Sequence, residues 1–175
     1  MKKNVLSALL IAAAVCFSML VSCGDNSTAP IGFKEISDEA LTYHFYVPDE
    51  WTTDISTGVT SAYFSGADPS SVSMTAFELD RSITSVDDYW SKYEEDFKSI
   101  FADFEYVNIS ECTLDSSPAK QYIYTATLTG EQYKFMQVVT IRNNQVYIFT
   151  YTALAEMYDS HIEDVLAILD YFDFK

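Results

Sequence analysis

The most regular hydrophobic pattern in the chain lies between residues 119 and 153, where three apolar runs are separated by two short polar breaks. The runs are 122–128, 133–141 and 146–152, and each is rich in β-branched and aromatic residues. Gly130 lies in the first break, and the pair Asn143-Asn144 forms the second. Such runs, bounded by Gly or by Asn pairs, are typical of antiparallel hairpins. Both faces of the middle run are largely apolar, so we predict a central meander that is covered on both sides.

Shorter runs with alternating apolar and polar residues predict strands on both sides of this meander. These predicted strands cover residues 41–47, 62–65, 72–79 and 106–114. The first of them ends at Pro48, because proline cannot donate a hydrogen bond to a neighbouring strand. Residues 52–60 are mostly polar and contain Gly58, so we predict a loop there.

Two stretches of the chain change to a helical period. In residues 86–104 an unusually aromatic stripe faces a charged side, and Ser85 is placed to cap the helix. We expect Trp90 and Phe97, which lie on this stripe, to be core residues. A second amphipathic run follows residue 153 and continues to the C-terminus.

These elements define a fold class. One helix is available for each face of the sheet, and no internal repeat or low-complexity segment interrupts the pattern. The predicted fold is therefore α+β, an antiparallel β-sheet of six to seven strands sandwiched between helices. We place it in one domain over residues 36–175.

The first 22 residues have the parts of a secretory signal. Lys2 and Lys3 precede an apolar run over residues 5–21, which ends in Leu-Val-Ser before Cys23. This ending resembles the lipobox of bacterial lipoproteins, which implies that Cys23 receives a thioether-linked diacylglycerol and becomes the N-terminus after cleavage. The alternative is an uncleaved transmembrane anchor, but the run is short for a bilayer span of about 20 residues.

The lipobox resemblance divides the precursor into three parts. Residues 1–22 are the lipoprotein signal peptide, and residues 23–35, rich in polar residues, Gly and Pro, form a lipid-anchored tether ahead of the folded domain. The resemblance implies that the N-terminal diacylglycerol attaches the domain to the membrane. It places the domain on the outer face of the bacterial cytoplasmic membrane.

Charge limits the partners of the mature chain. Without Lys2 and Lys3 it keeps 8 Lys and Arg residues against 26 Asp and Glu residues, a formal charge of −18. Such a surface repels phosphate backbones and anionic headgroups, so we expect no nucleic-acid partner and no basic membrane-binding patch. Cys16 leaves with the signal peptide and Cys23 is the lipidation site, so Cys112 has no partner for an intramolecular disulfide.

The sequence shows no convergent catalytic set. His44 lies in a predicted strand, and His161 lies on the apolar stripe of the last helix, where we expect a partly buried packing residue rather than a base. Cys112 has no basic neighbour and is expected to be an inert, buried thiol. The acidic clusters lack the spacing of a calcium loop, and consecutive carboxylates on a helix point in different directions. We therefore expect no enzyme, no catalytic, cofactor-binding or metal-binding residue, and no cofactor.

Aromatic residues are the one conspicuous excess, with 13 Tyr, 12 Phe and 2 Trp. Most of them fall on positions that face the predicted core. Tyr46, Trp51, Tyr63 and Tyr171 are less clearly placed, and we predict them as aromatics of a groove or interface. The alternative is that each ring is half-buried at the margin of the sheet.

Several motifs of the domain, taken in order, resemble a known superfamily. They are Phe45-Tyr-Val-Pro-Asp-Glu-Trp51, Ser117-Pro-Ala119 followed by Tyr122, Tyr147-Ile-Phe-Thr-Tyr-Thr-Ala153, and Leu169-Asp-Tyr-Phe-Asp-Phe174. From about Ile36 onward the chain is similar to the PsbP and Mog1 superfamily with its DcrB-related members, and in particular to its bacterial lipoprotein branch. The resemblance implies an antiparallel sheet sandwiched between helices, which agrees with the hydrophobic pattern. It implies little about activity, because members serve as extrinsic subunits, assembly factors or GTPase partners on one fold.

Two functions remain open at the level of sequence. The first is an extracytoplasmic, lipid-anchored, non-catalytic binding or assembly-support module that recognises another protein of the cell envelope. The second is a small-ligand or cation-binding lipoprotein, whose acidic surface concentrates cations beside the membrane.

Overall fold

The computed structural model describes residues 29–36, 40–55, 59–101 and 103–175. The predicted signal peptide and Cys23 lie outside the described residues. Among the described residues, no helix is long and apolar enough to cross a bilayer. In chain order the elements are β1 (Phe33–Glu35), β2 (Tyr43–His44), β3 (Tyr46–Pro48), β4 (Thr52–Asp54), β5 (Thr60–Tyr63), β6 (Ser71–Glu78), α1 (Val86–Ile100), β7 (Glu105–Leu114), β8 (Ser117–Leu128), β9 (Glu131–Arg142), β10 (Gln145–Leu154), a 3₁₀ helix (Tyr158–His161), α2 (Ile162–Tyr171) and β11 (Asp173–Phe174).

Three successive hairpins form the centre of the structure. β7 joins β8 through Asp115-Ser116, β8 joins β9 through Thr129-Gly130, and β9 joins β10 through Asn143-Asn144. All of these turn residues have positive φ, between 42° and 91°. Two consecutive residues in the left-handed region are what a type I′ turn needs, and the twist of that turn matches the twist of the strands it joins. The predicted meander is therefore confirmed, with strands that extend past their hydrophobic runs.

The main sheet has seven antiparallel strands in the order β4-β5-β6-β10-β9-β8-β7. This confirms the predicted class of sheet and its number of strands. Its membership differs at one edge, because β4 forms inside the predicted loop 52–60 and pairs with β5. A strand of three residues has too few positions to show an alternation of apolar and polar residues. The seventh strand is therefore one that the hydrophobic pattern does not reveal.

The predicted strand 41–47 is not part of the main sheet. Its residues form β2 and β3 on either side of Phe45, and these short strands pair with β11 and β1 respectively. The buried side of the stretch is the predicted one, since Tyr43, Phe45 and Val47 are all buried. Alternation identifies which side chains face a core, but it carries no information about which strand lies alongside.

α1 covers one face of the main sheet with an aromatic cluster. Its N-terminus is capped by Ser85, whose Oγ accepts a hydrogen bond from the backbone N–H of Asp88 at 3.0 Å. Trp90 is buried, and its ring stacks on that of Tyr122 with 3.6 Å between the ring centroids. Phe97 is partly buried and lies 5.5 Å from the Trp90 ring. The prediction of a core position is thus confirmed for Trp90, whereas Phe97 packs at the margin of the cluster.

α2 covers the opposite face together with β2 and β3. Val165, Ile168 and Phe172 from the α2 region belong to one buried cluster with Phe149 and Tyr151 of the sheet. The two faces of the sheet therefore carry separate cores, one under each helix. This arrangement confirms the predicted sheet sandwiched between helices.

Both helices are shorter than the stretches with a helical period. α1 ends at Ile100 rather than at residue 104, and Phe104 packs on the ring of Tyr124 from beyond the helix end. The C-terminal stretch begins with the last residue of β10 and a 3₁₀ turn, and it becomes α2 only at Ile162. Apolar residues in the connections pack against the same clusters as the helices. The helical spacing of apolar residues in the sequence therefore extends beyond the helices themselves.

A β-strand precedes the predicted domain boundary at residue 36. β1, which falls at the end of the predicted tether, pairs with β3. Lys34 fixes this pairing, because its Nζ donates hydrogen bonds to the backbone carbonyl oxygens of Asp49, at 2.7 Å, and Trp51. A lysine beside two polar turns gives no periodic signal, so the sequence pattern misses this strand.

Candidate functional site

Two of the four predicted interface aromatics are core residues. Trp51 is completely buried, with its ring centroid 6.0 Å from that of Phe64 and 5.7 Å from that of His161. Tyr46 is buried in β3. The prediction that Tyr46 and Trp51 line a groove or interface is therefore wrong. Trp51 packs against Phe64 and His161, and such contacts between residues far apart in the chain are not revealed by the hydrophobic pattern.

The other two aromatics, Tyr63 and Tyr171, are exposed but do not form one surface. Tyr63 in β5 is 40% exposed, and its partner in β6 is Ser71. Tyr171 at the end of α2 is 41% exposed, and its ring packs edge-on against Phe33 at 4.9 Å. The register of β5 places Tyr63 on the face of the sheet opposite to the one that α2 covers. The four predicted residues therefore do not converge on a single site.

His161 takes part in a buried polar network that the sequence did not predict. Its Nε2 lies 2.7 Å from Oδ2 of Asp68. An ionised carboxylate only accepts hydrogen bonds, so Nε2 carries the hydrogen and donates it. The other oxygen of Asp68 accepts hydrogen bonds from the backbone N–H of Ser70 at 3.0 Å and from its Oγ at 2.7 Å. Both residues of the pair are buried, so the interaction is shielded from water.

The pKa of Asp68 reflects two opposing effects. Burial by itself raises the pKa of this carboxyl group, but the hydrogen bonds from Ser70 and His161 outweigh it and hold the pKa below its usual range. The carboxylate is therefore ionised at neutral pH. Asp68 lies 93 positions from His161 in the sequence. The only local sign of a structured position at Asp68 is the Asp-Pro-Ser turn, which does not identify its partner.

The remaining sequence candidates for chemistry are isolated from one another. Nδ1 of His44 lies 2.7 Å from Oε1 of Glu35, and both side chains are partly exposed. Cys112 is partly buried against the core under α2, and burial, reinforced by the nearby charge of Glu111, raises the pKa of its thiol. A protonated thiol is a weak nucleophile. The structure thus agrees with an unreactive Cys112.

A cavity of about 400 Å³ opens at the end of the sheet, where β8 turns into β9. Glu131 and Glu156 are its two acidic residues, and it contains no aromatic side chain. Within the described part of the chain, no group of three His, Cys, Asp or Glu side chains converges as metal ligands. Two carboxylates on an open surface are a poor cage for a cation that prefers six or more oxygen ligands.

The long edge strand β7 is the most conspicuous candidate surface. It has ten residues, against three in β4 at the opposite edge, and among the described strands it pairs only with β8. Val107 and Ile109 are 55% and 50% exposed on this strand. The register shifts between Tyr106 and Asn108, and it runs regularly from there to Leu114. Within the part of the chain that the structure describes, β7 therefore offers a row of unpaired backbone groups beside two exposed apolar side chains.

The edge strand is held firmly on the domain. Nε1 of Trp90 donates a hydrogen bond to the hydroxyl oxygen of Tyr106 at 2.6 Å, and that hydroxyl donates to Oε1 of Glu94 at 2.7 Å. Burial, together with the adjacent Glu94 carboxylate, raises the pKa of Tyr106 to about 12, so the phenol stays a donor at all ordinary pH values. This chain of hydrogen bonds joins β7 to α1.

The surroundings of the edge strand are acidic. Glu105 and Glu111 lie on β7 itself, and Asp115 follows it in the turn. Lys120 lies on the neighbouring strand, but its Nζ contacts both Asp87 and Glu111, the latter at 3.1 Å. Its positive charge is therefore already matched, and the edge presents net negative charge.

The fold is similar to that of several solved proteins. Cyanobacterial PsbP (CyanoP) from Synechocystis has a TM-score of 0.64 at 15% identity, covering 89% of this chain and 99% of its own. The Ran-binding protein Mog1p of Saccharomyces cerevisiae has a TM-score of 0.59 at 10% identity, covering 81% and 95%. LpqN of Mycobacterium tuberculosis, which is described as involved in cell envelope biogenesis, has a TM-score of 0.53 at 16% identity, covering 82% and 91%. At these identities the likeness concerns the fold.

Sequence comparison gives the family. No curated protein matches the chain by sequence. The DcrB family matches residues 44–171, which include the main sheet and both helices of the domain. The predicted resemblance to the PsbP and Mog1 superfamily with its DcrB-related members is therefore confirmed by fold and by family. The chain belongs to the DcrB family.

Proposed function

We propose that this chain is an extracytoplasmic, lipid-anchored, non-catalytic binding module that supports an assembly of the cell envelope. The lipobox-like sequence before Cys23 supports the anchor and the location. The similarity in fold to LpqN, a protein described as involved in cell envelope biogenesis, supports the setting. The domain then recognises another envelope protein from a fixed position beside the membrane.

The observation that carries the proposal is the exposed edge strand β7. An extended segment of a partner adds to such an edge through backbone hydrogen bonds, while side chains such as Val107 and Ile109 give specificity. The acidic surroundings favour a segment with Lys or Arg residues and disfavour a second copy of this acidic chain. The occupant is therefore a basic, extended segment of an envelope protein.

The geometry of the buried polar network supports a non-catalytic role. The His161 ring is enclosed by Trp51 and Phe64, and its Nε2 is occupied by Asp68. Ser70 donates to the carboxylate rather than to the imidazole, so the order of a nucleophile, base and orienting acid is not present. Without access to a substrate, the pair stabilises the fold.

The anchor is tested by substitution of Cys23. The Cys23→Ala variant should accumulate as unprocessed precursor or be released from the membrane, whereas a Cys16→Ala control should be processed like the parent. Membrane fractionation and the intact mass of the purified chain distinguish these outcomes. If the Cys23→Ala protein fractionates with the membrane and has the mass expected for the parent apart from the substitution, the lipid anchor is refuted.

The partner is tested by cross-linking and capture from envelope extracts. Ile109→Gln should reduce the yield of one captured envelope protein, whereas Leu166→Gln, at a residue that is 47% exposed on α2, should not. Raised salt should slow association more than it speeds dissociation, because the expected partner segment is basic. A parallel thermal-shift screen covers the alternative of a small-ligand or cation-binding lipoprotein. A reproducible shift with a metal or metabolite, with no captured protein, would favour that alternative.

A further inference from the structure

The face of the sheet that carries α1 is divided into two halves of different chemistry. Over β8 and β9 it is aromatic and lies beneath α1, where Tyr122 and Phe135 join the cluster of Trp90. Over β5 and the adjoining ends of β6 and β10 the same face carries hydroxyl side chains, whereas Phe77, Val146 and Ile148 at the other ends of β6 and β10 extend the aromatic half. We call this second half the hydroxyl face, and it consists of Ser61, Ser71, Ser73, Thr150 and Thr152.

Strand register aligns these side chains in rows. Asp54, Ser61, Ser73, Thr150 and Gln137 are successive partners across five strands, from β4 to β9. A second row runs from Thr52 through Tyr63 and Ser71 to Thr152. Neighbouring side chains in a row are separated by about 4.8 Å, the distance between strands. The intervening residues, such as Ala62 and Val72, belong to the core on the opposite face.

The hydroxyl groups of this face are largely free to bind a ligand. Among the described residues, the hydroxyls of Ser71, Ser73 and Thr152 make no hydrogen bond to another side chain or to the backbone. Each of these groups can donate one hydrogen bond and accept two. Each strand position is at least partly open to solvent, so the rows present a flat surface of unused donors and acceptors.

Gln137 gives a second, independent indication of a ligand. It is only 9% exposed, and its Nε2 donates a hydrogen bond to Oγ1 of Thr150 at 3.1 Å. Its Oε1 is buried and has no hydrogen-bond partner. If the carboxamide is flipped, its NH₂ group is left without a partner instead. A buried polar group without a partner is costly, so a ligand that supplies a hydroxyl or amide at the inner end of the row is favoured here.

The chemistry of the face restricts the class of ligand. The described strands place no Lys or Arg on it, which disfavours phosphate, nucleic acid and anionic lipid. Serine is depleted in protein–protein interfaces, and the rows contain no aliphatic side chain against which an acyl chain could pack. A neutral, polyhydroxylated chain fits instead, because its hydroxyls both donate and accept along a row. Tyr63, at the rim, offers an exposed ring for the apolar face of a sugar.

We infer that the hydroxyl face is a binding site for a neutral glycan chain, with Gln137 at its inner end and Tyr63 at its outer end. This site is separate from the edge strand β7, which lies across the sheet from β4 and β5. The inference therefore does not depend on the protein partner, and either proposal can fail without the other.

Calorimetric titration of the full chain tests the inference. The chain is held in a zwitterionic detergent without a sugar headgroup, and the probe is a neutral hexamer of β-1,4-linked N-acetylglucosamine. Tyr63→Ala should weaken binding about tenfold, and Ser73→Ala combined with Thr150→Val should weaken it at least as much. Tyr171→Ala is the matched control, because the Tyr171 ring is similarly exposed on another part of the domain. The Tyr171→Ala variant should bind the hexamer with the affinity of the parent.

Any of three outcomes would overturn the inference. One is the absence of binding heat with the neutral hexamer at concentrations up to about 1 mM, a limit that corresponds to a weak interaction. Another is binding that Tyr63→Ala and Tyr171→Ala change equally. Melting temperatures of all variants ensure that a lost affinity does not arise from an unfolded protein. An anionic heparin hexasaccharide should not bind, and stronger binding of this probe than of the neutral hexamer would also contradict the proposed site.

Discussion

His161→Ala should destabilise the domain much more than His44→Ala, although each histidine lies 2.7 Å from a carboxylate oxygen. In His161→Ala the buried carboxylate of Asp68 loses the donor at 2.7 Å. The two hydrogen bonds from Ser70 to its other oxygen remain. A buried polar group that loses its hydrogen-bond partner costs about 1–3 kcal/mol, and more when the group is charged, so we expect the free energy of unfolding to fall by about 3 kcal/mol.

His44→Ala is the matched control for this prediction. Its Nδ1 makes a contact of the same length, 2.7 Å, with Glu35, but the His44 side chain is 32% exposed. Exposed ion pairs contribute about 0–1 kcal/mol, so we expect His44→Ala to lose no more than that. Urea unfolding at pH 7 followed by circular dichroism gives both values. Equal losses in the two variants would refute the argument that burial makes the Asp68–His161 pair important.

The pH dependence provides a second readout of the same pair. The pKa of Asp68 is lower in the folded state than in the unfolded chain, so its contribution is fully present above the unfolded value of about 3.9. This stability is lost as the pH falls from there through the folded pKa. The parent should therefore lose stability more steeply than Asp68→Asn in this acidic range. Parallel curves for the two proteins between pH 5 and the acid transition would contradict the assigned role.

The other predictions concern packing, turn geometry and thiol reactivity. Trp90→Ala should lower the free energy of unfolding by about 3–5 kcal/mol, and Phe97→Ala by only about 2 kcal/mol, because Phe97 is partly exposed. If urea unfolding ranks the two losses in the reverse order, the packing described for α1 is contradicted. Asn144→Val should lower the free energy of unfolding by about 1–3 kcal/mol, because residue 144 has a φ of 62° that a β-branched residue adopts only with strain. Gln145→Val should change the stability little. Equal shifts in melting temperature for the two variants would show that the positive φ does not restrict the residue at position 144. Cys112 should react with iodoacetamide more slowly in the folded protein than in urea at pH 8, and equal rates would show that burial does not protect its thiol.

Hydrophobic periodicity predicted the parts of the fold that rest on local chemistry. The hairpin turns at Gly130 and at Asn143-Asn144 were identified because few residues adopt positive φ readily. The aromatic stripe that contains Trp90 showed which side of α1 meets the sheet. These features are local, since each depends on residues that are near one another in sequence.

The parts that were missed depend on contacts between distant residues. Trp51 has the polar neighbours of a loop residue, but its ring packs against Phe64 and the distant His161 in the core. Asp68 and His161 have no sequence motif in common, and only the fold brings them together. The two exposed aromatics were selected for their residue type alone, and the hydroxyl groups that surround Tyr63 become visible only when strand register is known.

We propose that the domain recognises an envelope protein along its β7 edge. The most direct measurement places a photo-activatable cross-linking residue at position 109 of the full chain in intact cells, with position 166 on α2 as the control. Both positions are about half exposed, so accessibility alone cannot distinguish them. We expect one envelope protein to be cross-linked from position 109, through a basic extended segment, and none from position 166. The same adduct from both positions, or an adduct from position 166 alone, would refute recognition along the β7 edge.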